Sequence, residues 1–221
     1  MQIPLFPLPN LVLFPQVVLP LHIFEERYKQ MINRCIDDSG PFGLVQSRAG
    51  AEQESEETIH RVGVSARVVQ VERMDDGRMN ILTAGESRFR VERFTSRSPY
   101  WTADVEFFED VEEPLEELQA AYEEVAALYR RAFEFGAKLR AVKPSDLVLP
   151  ESAVGLSYMV AYVLDINPAE KQRLLEMVST VERLESLQGH LRQAVTQLER
   201  QAAQKEIGPK VSGNGDLGLP H

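Results

Sequence analysis

Apolar and polar positions change their period three times along the chain. Met1 to Phe24 is dense in apolar side chains and carries Pro4, Pro7, Pro9, Pro15 and Pro20. Val12 to Phe14 and Val17 to Phe24 are rich in β-branched and aromatic residues, which predicts strands whose pairing the prolines confine to ends and edges. From Glu25 to Asp38 the spacing becomes three to four. Tyr28, Met31, Ile32, Cys35 and Ile36 share one face and Gly40-Pro41 ends the run, which predicts a short amphipathic helix. Alternation then returns. Phe42 to Val45 reads as a strand, Gln46 to His60 as a polar, acidic and mobile loop, and Val62, Val64, Ala66 and Val68 alternate with Gly63, Ser65 and Arg67. Asp75-Asp76-Gly77 before Met79 to Thr83 completes a hairpin signal. With strands at Ser87 to Phe94 and Trp101 to Phe108, six or seven short strands fall within about 110 residues. That spacing fits a closed or nearly closed β-barrel, because closure removes exposed edges.

From Pro114 onward the period is helical. Leu115, Leu118, Tyr122, Val125, Tyr129 and Ala132 form a seam on a helix reaching to about Ala141. Val142 to Glu151 reads as a connector. Ser152 to Leu164 is apolar nearly all round, which predicts a central place in a helical layer. Asn167-Pro168-Ala169-Glu170 sets Asn at an N-cap, Pro at N1 and Glu at N3, a helix start. Ser179 and Glu182 repeat the capping spacing before a last seam through Leu184, Leu187, Leu191, Val195 and Leu198. The fold class expected is therefore α+β: an N-terminal barrel over 1-111 with one inserted helix, then an α-helical bundle over 112-206. Residues 207-221, rich in glycine, read as a disordered tail.

Composition changes this picture little. The chain has 221 residues, 43% of them hydrophobic, and a formal net charge of −10. A chain this long buries enough surface to need no staple. The charge is local: Asp104 to Glu124 holds ten acids and no Lys or Arg, and without them 24 acids face 24 bases. We read that window as a solvated hinge and helix start, since acids gather in first turns for electrostatic reasons. An acidic chain also argues against non-specific nucleic-acid coating. Arg61, Arg67, Arg73, Arg78, Arg88, Arg90, Arg93 and Arg97 crowd the expected barrel, but alternation scatters them over several surfaces. Met1 to Pro20 lacks the basic start of a signal peptide, and Ala153 to Leu164 is too short to span a bilayer, so the chain reads as soluble and cytoplasmic with no membrane partner.

Motifs for catalysis are missing from this sequence. It contains no G-x-x-x-x-G-K-[ST], no G-x-S-x-G, no H-E-x-x-H and no C-x-x-C. Lys143 with Ser145, and Lys210 with Ser212, stand in connector and tail, where nothing desolvates the lysine into a base. Four scattered histidines and the single Cys35 offer neither metal spacing nor a disulfide. The reading is a non-enzyme without cofactor. The apolar N-terminus is the remaining feature: Leu5, Phe6, Leu8, Leu11, Phe14, Leu19, Leu21 and Phe24 cannot all face one barrel interior, because strand side chains alternate. The outward set is either covered by helices or forms a groove for extended polypeptide.

Ile3-Pro4-Leu5-Phe6-Pro7-Leu8, Val12-Leu13-Phe14-Pro15, and Leu19-Pro20-Leu21-His22-Ile23-Phe24-Glu25 with Arg27-Tyr28 resemble the amino-terminal substrate-recognition domain of Lon proteases. Phe42-Gly43, Gly63, Asp76-Gly77-Arg78 and Gly85 with Arg88-Phe89 follow in the family's order. The resemblance covers Ile3 to about Asp110, and the helices to about Val195 are similar to those of stand-alone bacterial versions. It implies a PUA-like barrel joined to a helical bundle, without the ATPase and Ser-Lys protease domains of a whole Lon protease. It implies a non-catalytic polypeptide-binding module, an adaptor or holdase, whose partners are unfolded or extended polypeptide and a separate protease or chaperone. The alternative is an RNA-binding PUA-like domain. Phe6, Leu11 and Phe14, supported by Arg88, are the candidate peptide-binding residues. His22, Glu25, Arg27 and Tyr28 are read as structural, with Glu25 capping the helix and pairing with barrel charges such as Arg88.

Overall fold

The computed structural model describes residues 1–48, 55–143 and 147–207. Six strands and five helices alternate once and then separate: β1 (Gln2–Leu8), β2 (Val18–Ile23), α1 (Glu26–Asp37), β3 (Phe42–Ser47), β4 (Ile59–Arg73), β5 (Met79–Ser96), β6 (Trp101–Phe107), α2 (Leu115–Arg140), α3 (Ala153–Val163), α4 (Pro168–Glu176) and α5 (Thr180–Ile207). The strands lie in the order β2-β5-β4-β3-β1-β6, and β5 pairs with β6 as well. The ladders from β5 through β4, β3, β1 and β6 thus return to β5, and β2 is added outside this circuit. Residues 49–54, within the expected mobile loop, and the expected tail from 208 lie outside the described residues.

Two expectations change. Val12 to Phe14 is buried but not a strand, and the strand that the pattern missed is β1. Its two prolines hid it. They are tolerated because β1 changes partner along its length: Gln2 to Leu5 pairs with β6, and Leu5 to Leu8 with β3. Pro4 and Pro7 therefore each have a ladder on one side only, where a missing N–H costs least. The two short strands expected at Met79 to Thr83 and Ser87 to Phe94 are one strand, β5, which bends by slips in register against its neighbours instead of breaking.

Phe89 fills the inside of the circuit with Ile3, Leu5, Val45, Val91, Trp101 and Ala103 around it. Gly43 and Gly63 make room for its ring: a Cβ at either position would lie 2.6 Å and 2.8 Å from Phe89 Cζ. Those glycines and Phe89 belong to the motif noted above, and close packing at the centre explains why these residue types stand together. A second, larger core joins α1, β2 and β4 to α2, α3, α4 and α5 through Phe14, Met31, Val64, Val125, Leu156, Leu174 and Leu184. Long helices α2 and α5 lie along each other and α3 packs on both. The starts of α4 and α5 follow the caps read from sequence, and Ser152 adds at α3 a cap that the pattern missed. Ser152 and Asn167 side chains accept from Gly155 and Glu170 N–H groups, and Ser179 Oγ accepts from the Glu182 N–H at 3.0 Å. Among the described residues, no helix is long and apolar enough to cross a membrane.

Candidate functional site

The expected contact residues are mostly interior. Phe6, Phe14 and Arg88 are 6%, 0% and 2% exposed, so none offers a ligand appreciable surface, and Leu11 is half-buried. The rings of Phe6 and Tyr28 meet tilted with centroids 4.1 Å apart, a contact by which Tyr28 ties α1 to the sheet. Glu25 stands at the N-cap of α1 but makes no side-chain cap. It pairs with Arg27 at 2.9 Å, and Arg27 lies over the Tyr28 ring. Arg88 is far from it, occupied elsewhere.

Arg88 sits on β5 where strands meet helices. Its guanidinium donates to the carbonyls of Leu175 and Met177 at the end of α4 and to the Asp110 carboxylate. Arg183 on α5 takes the other Asp110 oxygen, the Met177 carbonyl at 2.9 Å and Ser157 Oγ at 2.8 Å. Two cations thus share one carboxylate, and the carbonyl end of α4 supplies further negative charge. The Tyr158 ring lies 4.4 Å from Arg183 and 5.7 Å from Arg88. Burial pushes the Arg88 guanidinium below its usual range and the Tyr158 hydroxyl above its own. Next to this cluster, Glu113 accepts from the Thr180 and Val181 N–H groups and so caps α5. A cavity of about 530 Å³ opens beside it, rimmed by Glu86, Glu109 and Glu112. Asp110 and Glu113 come from the window read as a solvated hinge, and their partners show instead that the hinge is pinned on both sides. Sequence alone could not pair them, because Arg183 is 73 positions from Asp110.

A different character marks the outer layer of β2, β5 and β4. Leu19 and Ile23 point inward, so Val18, Pro20, His22 and then Phe24 face out, with Val18 55% and Phe24 61% exposed. Register places Pro20 beside Leu82 and His22 beside Asn80, and beyond these Gln70 and Glu72 follow on β4. A trough of about 410 Å³ lies over this layer, lined by Pro20, Leu21, His22, Gln70, Glu72, Asn80, Ile81 and Leu82. Its polar row is ordered. Asn80 Nδ2 donates to Glu72 at 3.1 Å, and His22 Nδ1 meets Asn80 Oδ1 at 2.8 Å. A carboxylate only accepts, so the Asn80 oxygen turns toward His22 and the Nδ1–H donates to it, which leaves Nε2 outside this row. Phe24 stacks on His22 with centroids 6.0 Å apart. His22 therefore belongs to an exposed polar row, where the sequence reading had only a structural role for it.

Each of the eight arginines has a local partner. Arg67 pairs with Glu86, Arg78 with Asp76, Arg93 with Asp104 and Arg97 with Glu56. Arg73 donates to Asn33, Arg61 to the Val91 carbonyl, and Arg90 lies over Phe108. Cys35 is buried on α1 and burial pushes its thiol up to about 11, away from reactivity. Among the described residues, no group of three or more His, Cys, Asp or Glu could hold a metal ion.

Known proteins of similar architecture can now be set beside this geometry. The N-terminal domain of Lon protease from the Mycobacterium avium complex superposes with a TM-score of 0.62 at 21% identity, covering 87% of this chain and 98% of that one. The Lon N-terminal domain protein of Xanthomonas campestris gives 0.62 at 22% identity, over 85% and 96%. Lon protease 2 of Herpetosiphon aurantiacus is 28% identical over 94% of this chain, and Lon protease 1 of Syntrophobacter fumaroxidans 26% over 89%. The chain spans about a quarter of the length of these two curated relatives. Residues 2–193 match the family model of the ATP-dependent protease La (LON) substrate-binding domain, and the chain belongs to that family.

Proposed function

We propose that this chain is a non-catalytic polypeptide-recognition module that meets its ligands on the outer layer of β2, β5 and β4. We read the closed circuit of strands as a small PUA-like barrel, the helices from α2 as the bundle, and the stretch through Asp110 as the boundary between units 1–111 and 112–206. The observation that carries the function is the exposure of Val18, Pro20 and Phe24 along β2 and just past its end, with Pro20 lining the trough, in a chain whose family is a substrate-binding domain. Apolar side chains open to water beside polar acceptors suit segments that a folded protein hides. Leu11 stays among the contact residues. Phe6, Phe14 and Arg88 act from beneath by holding that layer in shape. An adaptor or holdase serving a separate protease or chaperone is the role this supports.

Fluorescence anisotropy with a labelled, permanently unfolded model protein tests the function directly. Binding that Phe24→Ser weakens, with an unchanged melting temperature, supports it, and a signal no greater than that of an unrelated acidic protein overturns it. Carrying the titration from low to high salt separates RNA from polypeptide, since phosphate contacts weaken steeply as salt rises.

A further inference from the structure

We propose that the free edge of β2 takes up an extended polypeptide as an added strand. The proposal rests on the polypeptide-recognition reading and specifies how the ligand is held. Among the described strands β2 pairs with β5 alone. Successive residues of an antiparallel strand turn their backbone groups alternately toward the neighbour and away from it. The Gly85 N–H bonds the Val17 carbonyl at 2.9 Å, so position 17, and with it Leu19, Leu21 and Ile23, faces β5. Pro20 agrees with that parity, because its nitrogen carries no hydrogen to spend on the ladder. Val18, Pro20 and His22 therefore aim their backbone groups outward, with N–H and C=O at 18 and 22 and a lone C=O at 20. By that parity the N–H groups of Val18 and His22 take no part in the β5 ladder.

This edge fits a foreign segment better than a second copy. Two copies of β2 set edge to edge would each bring a Pro20, and an antiparallel pairing centred there would oppose Pro20 to Pro20 and lose two N–H donors. A segment without proline meets only one such gap. An incoming strand also lays its alternate side chains on the face already occupied by Val18, Pro20 and His22, next to exposed Phe24. The edge thus favours segments with apolar residues at alternate positions, while backbone pairing reads no particular sequence. Pro20 limits the opposite hazard, unselective edge-to-edge association.

The test uses a labelled peptide of about eight residues, alternating Val and Thr between terminal lysines. Two further versions carry N-methyl groups on one or the other alternate set of amides. Strand addition predicts that the parent binds, that one methylated version loses binding and that the other keeps it. Val18→Pro removes an outward N–H while leaving the β5 ladder intact, and should weaken the parent about tenfold. His22→Pro repeats the test at the same parity, and the methylated peptides need no variant to fold. Equal binding of both methylated peptides, or wild-type affinity in a folded Val18→Pro protein, overturns strand addition while leaving polypeptide recognition standing. A wild-type chain that binds neither peptide nor unfolded protein overturns both. Self-association that Val18→Pro abolishes, with no competition from the peptide, assigns the edge to a second copy and overturns the proposal.

Discussion

The joint around Asp110 and the outer layer around His22 both gather polar groups on β5 and its neighbours, but they treat those groups in opposite ways. At the joint, Asp110 meets Arg88 and Arg183, Glu113 meets the first N–H groups of α5, and the end of α4 receives both guanidinium groups. At the outer layer the polar row from Glu72 through Asn80 to His22 leaves an imidazole nitrogen open, and apolar Val18 and Phe24 are exposed beside it. Charge density alone would have picked the joint as the functional site. The central groups of the joint are spent on one another, whereas the outer layer leaves apolar as well as polar groups open, which is why the proposed contact is placed there.

The contrast is sharpest when Asp110 is removed. Asp110→Asn leaves two buried guanidinium groups sharing a neutral amide, and chemical denaturation should show a loss of about 3–5 kcal/mol. Replacing Arg88 by Met in the same chain removes one of the stranded cations and should recover part of that loss, which a double-mutant cycle measures. A change below about 1 kcal/mol for Asp110→Asn would mean that the joint is dispensable and would break the comparison.

At the outer layer the prediction runs the other way. Phe24→Ser should leave the melting temperature within the scatter expected of surface changes and weaken peptide binding several-fold. A fall in stability with unchanged binding would show that Phe24 is structural. Smaller effects come from the caps. Glu113→Ala removes the acceptor of two N–H groups at the start of α5 and should cost about 1 kcal/mol, read by the urea midpoint. Asn167→Ala at the start of α4 should cost about the same, because its side chain accepts the Glu170 N–H at 2.8 Å.

The smallest effect is on pH. The hydrogen bond from Arg173, helped by that from His190, holds the Glu170 carboxyl below its ordinary value of 4.5. A depressed acid contributes stability above its unfolded value and loses it as pH falls through the folded value. The acid limb of the stability curve, from about pH 4.5 downward, should therefore be shallower in Glu170→Gln by less than about 1 kcal/mol.

Much of the fold was legible because its signals are local. The α1 stripe, the Asp75-Asp76-Gly77 hairpin, the Asn167-Pro168 start and the seam from Leu184 to Val195 all depend on residues within a few positions of one another. The site was less legible. Phe6 and Phe14 look like contact residues in sequence because they are large and apolar, yet large and apolar describes a core equally well. His22 gave a weak signal, a polar residue alternating with Leu21 and Ile23, and its row-mates Asn80 and Glu72 stand 58 and 50 positions away.

By itself the sequence determined the helices, the Asp75-Asp76-Gly77 hairpin, the starts of α4 and α5 and the family motif, since periodicity, capping and turn chemistry act over short separations. It also placed the excess acid between Asp104 and Glu124. Tertiary structure alone decided which acids are sealed, which faces remain open, and that β1 accepts two prolines by changing partner. Those outcomes depend on residues far apart in the chain meeting across ladders and helix ends, and no local pattern carries that pairing.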